Sequence, residues 1–248
     1  MRPTARQIVF AVLLLFAAGS VAAADAVTAS AAGKRAMTLA DVHRLRDVAE
    51  PSLSVDGRWL LYSVSSHDLA NDVVVSEVWR VGFDGGAERR LTNAAPASSW
   101  APQASPDGKW IAFLSDRGEE QTTQVWRMPA DGGEAELLSA FPGGVSEFDW
   151  APDSRALALI AMDAPGQPAK LANGEDGTAL PIVTERLQFK DDSTGYLTAR
   201  RSHLYRFEIA AKKATLLTPG AHDEWSPAWS PDGTNIAYAT KRGADPDR

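Results

Sequence analysis

One short phrase recurs along this chain, and the spacing of its copies restricts the fold more than any other feature. Val55-Asp56-Gly57-Arg58-Trp59-Leu60-Leu61-Tyr62-Ser63, Pro106-Asp107-Gly108-Lys109-Trp110-Ile111-Ala112-Phe113-Leu114 and Pro231-Asp232-Gly233-Thr234-Asn235-Ile236-Ala237-Tyr238-Ala239 share one pattern. Pro152-Asp153-Ser154-Arg155-Ala156-Leu157-Ala158-Leu159-Ile160 is a looser copy. Trp100, Trp150 and Trp229 precede three of the turns, and Leu53 takes roughly that place in the first copy. Pro presets φ at the start of the turn, Asp accepts hydrogen bonds from nearby backbone, and Gly tolerates positive φ, so the phrase joins two short strands. The hydrophobic run after it is a second strand. Third strands follow at Glu77–Val81, Gln124–Met128 and His203–Phe207, each with an aromatic residue followed by Arg. Asp84-Gly85-Gly86 and Asp131-Gly132-Gly133 then turn the chain into fourth strands at Arg90–Thr92 and Glu136–Leu138.

Asp56 and Asp107 lie 51 residues apart, and Asp107 and Asp153 lie 46 apart. Four antiparallel strands recurring at such a period make a propeller blade. A two-sheet sandwich also has short strands and frequent turns, but it needs no phrase repeated in register. The fold class is therefore all-β: a partial β-propeller over residues 38–248, with three four-stranded blades and about half of a fourth. Thr38–Leu45 reads as a short leading helix, capped by Thr38 with Asp41 at the capping-box position. In the third unit about 40 residues separate the second and third strands, an insertion at 163–200 where other units have a short loop. Its first half is loop-like, and Pro181–Lys190 is expected to form an additional hairpin ending near Gly195-Tyr196-Leu197. Long loops on a rigid scaffold carry function disproportionately.

Residues 1–24 follow a different rule. Arg2 and Arg6, the apolar run Ile8–Ala18 and the small residues Ala22-Ala23-Ala24 read as a secretory signal. The run is shorter than a bilayer span, so no stable membrane segment is expected after cleavage. Residues 25–37 read as a flexible mature N-terminus. Export is expected, to the periplasm in preference to full secretion. With 248 residues, 44% of them hydrophobic, the chain can build a real core, and its net charge of −7 argues against a nucleic-acid partner. It has no Cys, so packing alone must hold it and thiolate zinc is excluded. His43, His67, His203 and His222 lack metal-ligand spacing and read as surface or structural; neither a metal nor another cofactor is expected.

The Asp-Gly phrases resemble the repeats of Tol-system propellers and of propeller domains in the prolyl oligopeptidase superfamily. Arg186-Leu187-Gln188-Phe189-Lys190-Asp191-Asp192-Ser193-Thr194-Gly195-Tyr196-Leu197, followed by Arg201-Ser202-His203-Leu204-Tyr205, looks like the insertion of dipeptidyl and acylaminoacyl peptidases of that superfamily. Leu39–Val42 and Pro51–Gly57 look like the start of those peptidases. The resemblance implies the propeller region of an exported serine exopeptidase, gating and positioning peptides for a C-terminal α/β-hydrolase domain that carries Ser, Asp and His.

No Gly-x-Ser-x-Gly elbow occurs here, and Gly144-Val145-Ser146-Glu147-Phe148 lacks the closing Gly. No catalytic residue is assigned, and this stretch alone is expected to be inactive. Its last phrase is a second strand with no third behind it, so the array reads as truncated before the catalytic domain, or as closed by a partner. Related dipeptidyl peptidases hold a substrate amino terminus with propeller carboxylates. Glu119 and Glu120 are the substrate-binding candidates on that ground, weighed against a solvated hairpin tip. Asp191-Asp192 reads as turn formers or a cation site. Most of the eight Trp residues read as inter-blade core. The alternative function is a noncatalytic periplasmic interaction propeller, and a homo-oligomeric full-length protein is compatible with either.

Overall fold

The computed structural model describes residues 35–93, 95–118, 120–164, 190–191, 195–196 and 200–242. The expected signal segment at 1–24, most of the expected mature N-terminus at 25–37 and most of the insertion at 163–200 lie outside these residues. The chain divides into two compact units, Met1–Val42 and His43–Arg248. In the first, α1 (Leu39–Val42) is a single turn. The Asp41 carboxylate accepts from the Thr38 backbone N–H at 2.8 Å and its hydroxyl at 2.7 Å, and pairs with Arg35. The helix stops at Val42, short of Leu45, and none of its side chains is buried, so no packing extends a nucleus that is costly to form.

In the second unit, blade 1 runs β1 (Asp47–Leu53), β2 (Trp59–Asp68), β3 (Val73–Gly82) and β4 (Arg89–Arg90). Blade 2 runs β5 (Ser99–Ala104), β6 (Trp110–Ser115), β7 (Gln124–Pro129) and β8 (Glu136–Leu137). Blade 3 opens with β9 (Val145–Trp150) and β10 (Ala156–Met162). After the small hairpin of β11 (Lys190–Asp191) and β12 (Gly195–Tyr196), it ends with β13 (Ser202–Glu208) and β14 (Lys213–Leu216). β15 (Glu224–Trp229) and β16 (Ile236–Thr240) begin a fourth blade. Each blade is one antiparallel sheet with its strands side by side in chain order.

The outer strands β4 and β8 are shorter than the sequence suggests, and a hydroxyl explains why. Thr92 Oγ1, Ser139 Oγ and Thr218 Oγ1 accept the Val78, Val125 and Leu204 backbone N–H groups at 2.9, 2.8 and 2.9 Å. A side chain thus takes over where the ladder would continue.

The strand-one to strand-two turn is nearly identical in all four copies. In blade 1, Ser54 N–H donates to Trp59 O and Gly57 N–H to Ser54 O, and equivalent bonds recur at Ser105, Ala151 and Ser230. The Asp carboxylate accepts the N–H two residues on, at Arg58, Lys109, Arg155 and Thr234. Ser54, Ser105 and Ser230 each donate a hydroxyl to that Asp at 2.6 Å. Ser154 stands where the others have Gly and adopts φ 60.

Strand alternation sends side chains to both faces of each blade. Ile111 and Phe113 join Leu61, Val78 and Met128 between blades 1 and 2. Ala112 and Leu114 face the other way, packing with Phe148, Trp150, Leu157 and Leu159. Ala158, Ile160 and Leu204 pack against Trp229, Ile236 and Tyr238. The aromatic-Arg phrase also has a cause. Leu61 faces Arg80 and Ala112 faces Arg127 in the ladder, which places each Arg diagonally from the Trp that opens the second strand. Arg80 lies 4.3 Å over Trp59, and Arg127 lies 4.0 Å over Trp110. Blade 3 has Ala156 at that position, and Arg206 pairs with Glu208 instead.

Candidate functional site

Because strand two runs antiparallel to strand one, one rim of the array gathers the starts of the first strands and the loops between strands two and three. The opposite rim carries the Asp-Gly turns. The insertion leaves and rejoins blade 3 at the first rim, and Asp163 ties its two ends. Its N–H donates to Arg201 O at 2.8 Å, its Oδ2 accepts the Arg201 N–H at 2.9 Å, and its carbonyl accepts Arg200 Nε at 2.8 Å.

Behind this root sits His203, buried. Nε2 is 3.5 Å from Asp163 Oδ1 and Nδ1 is 3.4 Å from Glu224 Oε2, while Arg242 lies 3.8 Å from the other Glu224 oxygen. The Glu224 side chain is only 2% exposed. The group joins blade 3 to the first strand of blade 4. Among the described residues no three His, Asp or Glu converge as metal ligands would.

The second feature is a cleft of about 630 Å³ beside the strand-two to strand-three loop of blade 2. Glu120 is exposed and lines it; Glu119 lies outside the described residues. Arg117, which the sequence reading passed over, is the better-fixed charge. Its Nε donates to Ser115 Oγ at 2.9 Å and its Nη2 to Ser99 Oγ at 2.6 Å. The guanidinium stands 5.0 Å from the Phe113 ring centre and 5.4 Å from that of Trp126. Burial pushes it below its ordinary range, against the pull of Asp116. The available signal was an Arg two residues beyond the Ser that closes a second strand, Ser115-Asp116-Arg117.

Along the first strands a third pattern emerges. β1, β5 and β15 each bulge at a residue before Pro with positive φ: Glu50, Ala101 and Ser226. Glu50 Oε2 accepts the Ala101 N–H at 2.6 Å, and Glu147 Oε2 accepts the Ser226 N–H at 2.7 Å. These acids clamp neighbouring blades. Asp149 does likewise for Trp229 N–H at 2.7 Å, and burial raises its pKa.

The Trp residues divide. Trp150 is buried, and Trp100, Trp110, Trp126 and Trp229 pack on core clusters. Trp225, 40% exposed, is outside the core that most of the Trp residues were expected to form; it sits beside the bulge that turns its strand. Asp191 pairs in register with Gly195 across a short hairpin, the place of a turn former; Asp192 lies outside the described residues.

No family model matches the chain. The uncharacterized peptidase YuxL of Bacillus subtilis is 28% identical over 207 residues, covering 83% of this chain and 31% of the relative. Dipeptidyl-peptidase 5 of Porphyromonas gingivalis is 28% identical over 213 residues, 80% of this chain and 30% of the relative. The homologues are peptidases. Among solved structures, the Pyrococcus horikoshii acylaminoacyl peptidase aligns with a TM-score of 0.61 at 15% identity, over 83% of this chain and 30% of that one. The β-propeller domain of the Trilobed protease from Pyrococcus furiosus aligns with a TM-score of 0.50 at 14% identity, over 79% of this chain and 49% of that one. At such identity these two structures speak for the fold, a partial β-propeller. The chain spans about 30% of the length of the curated relatives it matches.

Proposed function

We propose that this chain is the propeller region of an exported serine exopeptidase acting on peptides, where it gates and positions substrate for an α/β-hydrolase domain. The observation that carries the reading is similarity to two peptidases over about four-fifths of the chain. The rim supplies a long insertion and a charged, partly apolar cleft. Glu120, with Glu119 beside it in sequence, is proposed to hold the substrate ammonium. The signal at 1–24 would direct the product to the periplasm; a fusion of residues 1–37 to alkaline phosphatase, active only when exported, tests that part.

The decisive experiment reads the coding frame beyond Arg248 and assays the encoded polypeptide on dipeptidyl and N-acyl aminocoumarin amides. Glu120→Gln is expected to raise KM for free-amine substrates about tenfold, with kcat little changed, as loss of uniform binding requires. A frame without a nucleophile elbow, or a polypeptide that hydrolyses neither substrate, sinks the peptidase reading and leaves a noncatalytic interaction propeller.

A further inference from the structure

We infer that the cleft beside blade 2 is a binding site for a peptide carboxylate, with Arg117 as its anchor. A guanidinium taken partly out of water costs free energy unless it is paired, and Arg117 has two serine hydroxyls, two aromatic rings and the through-space pull of Asp116, with which it forms no ion pair, to compensate it. Among the described residues it makes no ion pair and its Nη1 donates to no acceptor. The two hydroxyl bonds fix the fork, and a held fork with a free edge is matched to a carboxylate, where charge-assisted bonds are about twice as strong as neutral ones.

The Trp126 ring lines the same wall. Its indole N–H is buried without a hydrogen-bond partner, as are those of Trp79 and Trp229, so the cleft-side contribution of Trp126 is its ring. Leu137, Phe141 and Pro142 supply the apolar side, and a volume of about 630 Å³ admits a short peptide segment. Glu120, on the same cleft, disfavours multiply charged anions such as phosphate or nucleic acid. One carboxylate next to an apolar side chain meets every feature. The choice of a peptide ligand rests on the proposed peptidase reading; the carboxylate site does not.

The test is calorimetric titration of the protein with N-acetylated peptides, so that no ammonium engages Glu120. N-acetyl-Gly-Leu against its amide reports recognition of a terminal carboxylate, and N-acetyl-Glu-Leu-amide against N-acetyl-Gln-Leu-amide reports an acidic side chain. In at least one pair the acid is expected to bind at least about tenfold tighter, in line with a charge-assisted pair. Arg117→Gln should abolish that preference. Because Arg117 also braces Ser99 and Ser115, Glu120→Gln serves as the second variant: on an exposed loop, it should tighten carboxylate binding two- to threefold and leave the amides unmoved. Equal binding of acid and amide in both pairs, no binding in either, or a preference indifferent to both substitutions overturns the site. Binding without hydrolysis by the complete protein would instead overturn only the peptidase reading.

Discussion

The two rims of this array are built on opposite principles. At the Asp-Gly rim all four turns repeat one set of local bonds, closed within about six residues of sequence. At the insertion rim each blade has its own solution. Asp68 caps its own hairpin through Asn71, Asp116 accepts the Ser98 N–H at 2.7 Å, and Asp163 binds Arg201. Apart from the Asp107 N–H, which donates to Ser154 Oγ of the next blade's turn at 2.9 Å, the repeated bonds need only the turn's own residues, and such a turn can be copied from blade to blade. A rim tied by contacts between loops, blades and an insertion cannot, so that is where chemistry differs and where function is sought.

If that contrast is right, the largest effects of substitution belong to the insertion rim. His203→Leu leaves the buried Glu224 carboxylate without its nearest partner and is expected to cost about 3 kcal/mol, read from urea unfolding midpoints. Asp107→Ala at the other rim removes exposed local bonds and should cost well under half as much. Equal losses would break the distinction.

Glycines sharpen it further. Gly143 has no positive φ, yet a Cβ there would stand 2.1 Å from Met162 O and 2.4 Å from Asp163 O, the carbonyls at the root of the insertion. Gly108 has φ 71 and open space around it. Gly143→Ala must displace backbone and should cost about 2–3 kcal/mol. Gly108→Ala meets only left-handed strain, about 1 kcal/mol. Thermal unfolding of the two variants ranks them, and the reverse order would place the rigid element on the turn rim.

The same division decides what was legible in the sequence. The blades could be read because their determinants are local and repeated: Asp-Gly turns, alternating strands, an aromatic residue followed by Arg in each third strand. The Ser before three of the four turns was equally local but was missed, although Ser54, Ser105 and Ser230 stand at one offset. His203, Glu224 and Asp163 could not be grouped in advance, because three separate elements bring them together. Arg117 was hidden differently: a charged residue in a loop reads as solvated, and only the fold shows it held between two serines and two aromatic rings. Glu120 was legible as a loop acid, whereas its cleft was not.

Acid titration offers the finest test of the contrast, through two aspartates whose pKa values move in opposite directions. At the turn rim the Ser230 hydroxyl, then Thr234, hold Asp232 down to about 2 from the usual 3.8. Its folded pKa is below its unfolded one, so its contribution is complete above about pH 4 and is lost as pH falls toward 2. On the inner strand of blade 3, burial raises Asp149 despite the Trp229 and Trp150 N–H bonds it accepts. Here the sign reverses: the favourable contribution is present below the unfolded pKa and is lost as pH rises through the raised folded value. Urea midpoints measured from pH 2 to 7 should therefore lose part of their acid-side slope in Asp232→Asn and gain relative stability toward neutrality in Asp149→Asn. Parallel curves for the two variants would mean that local turn bonds and inter-blade burial respond alike to protonation, and the two kinds of aspartate would no longer be distinct.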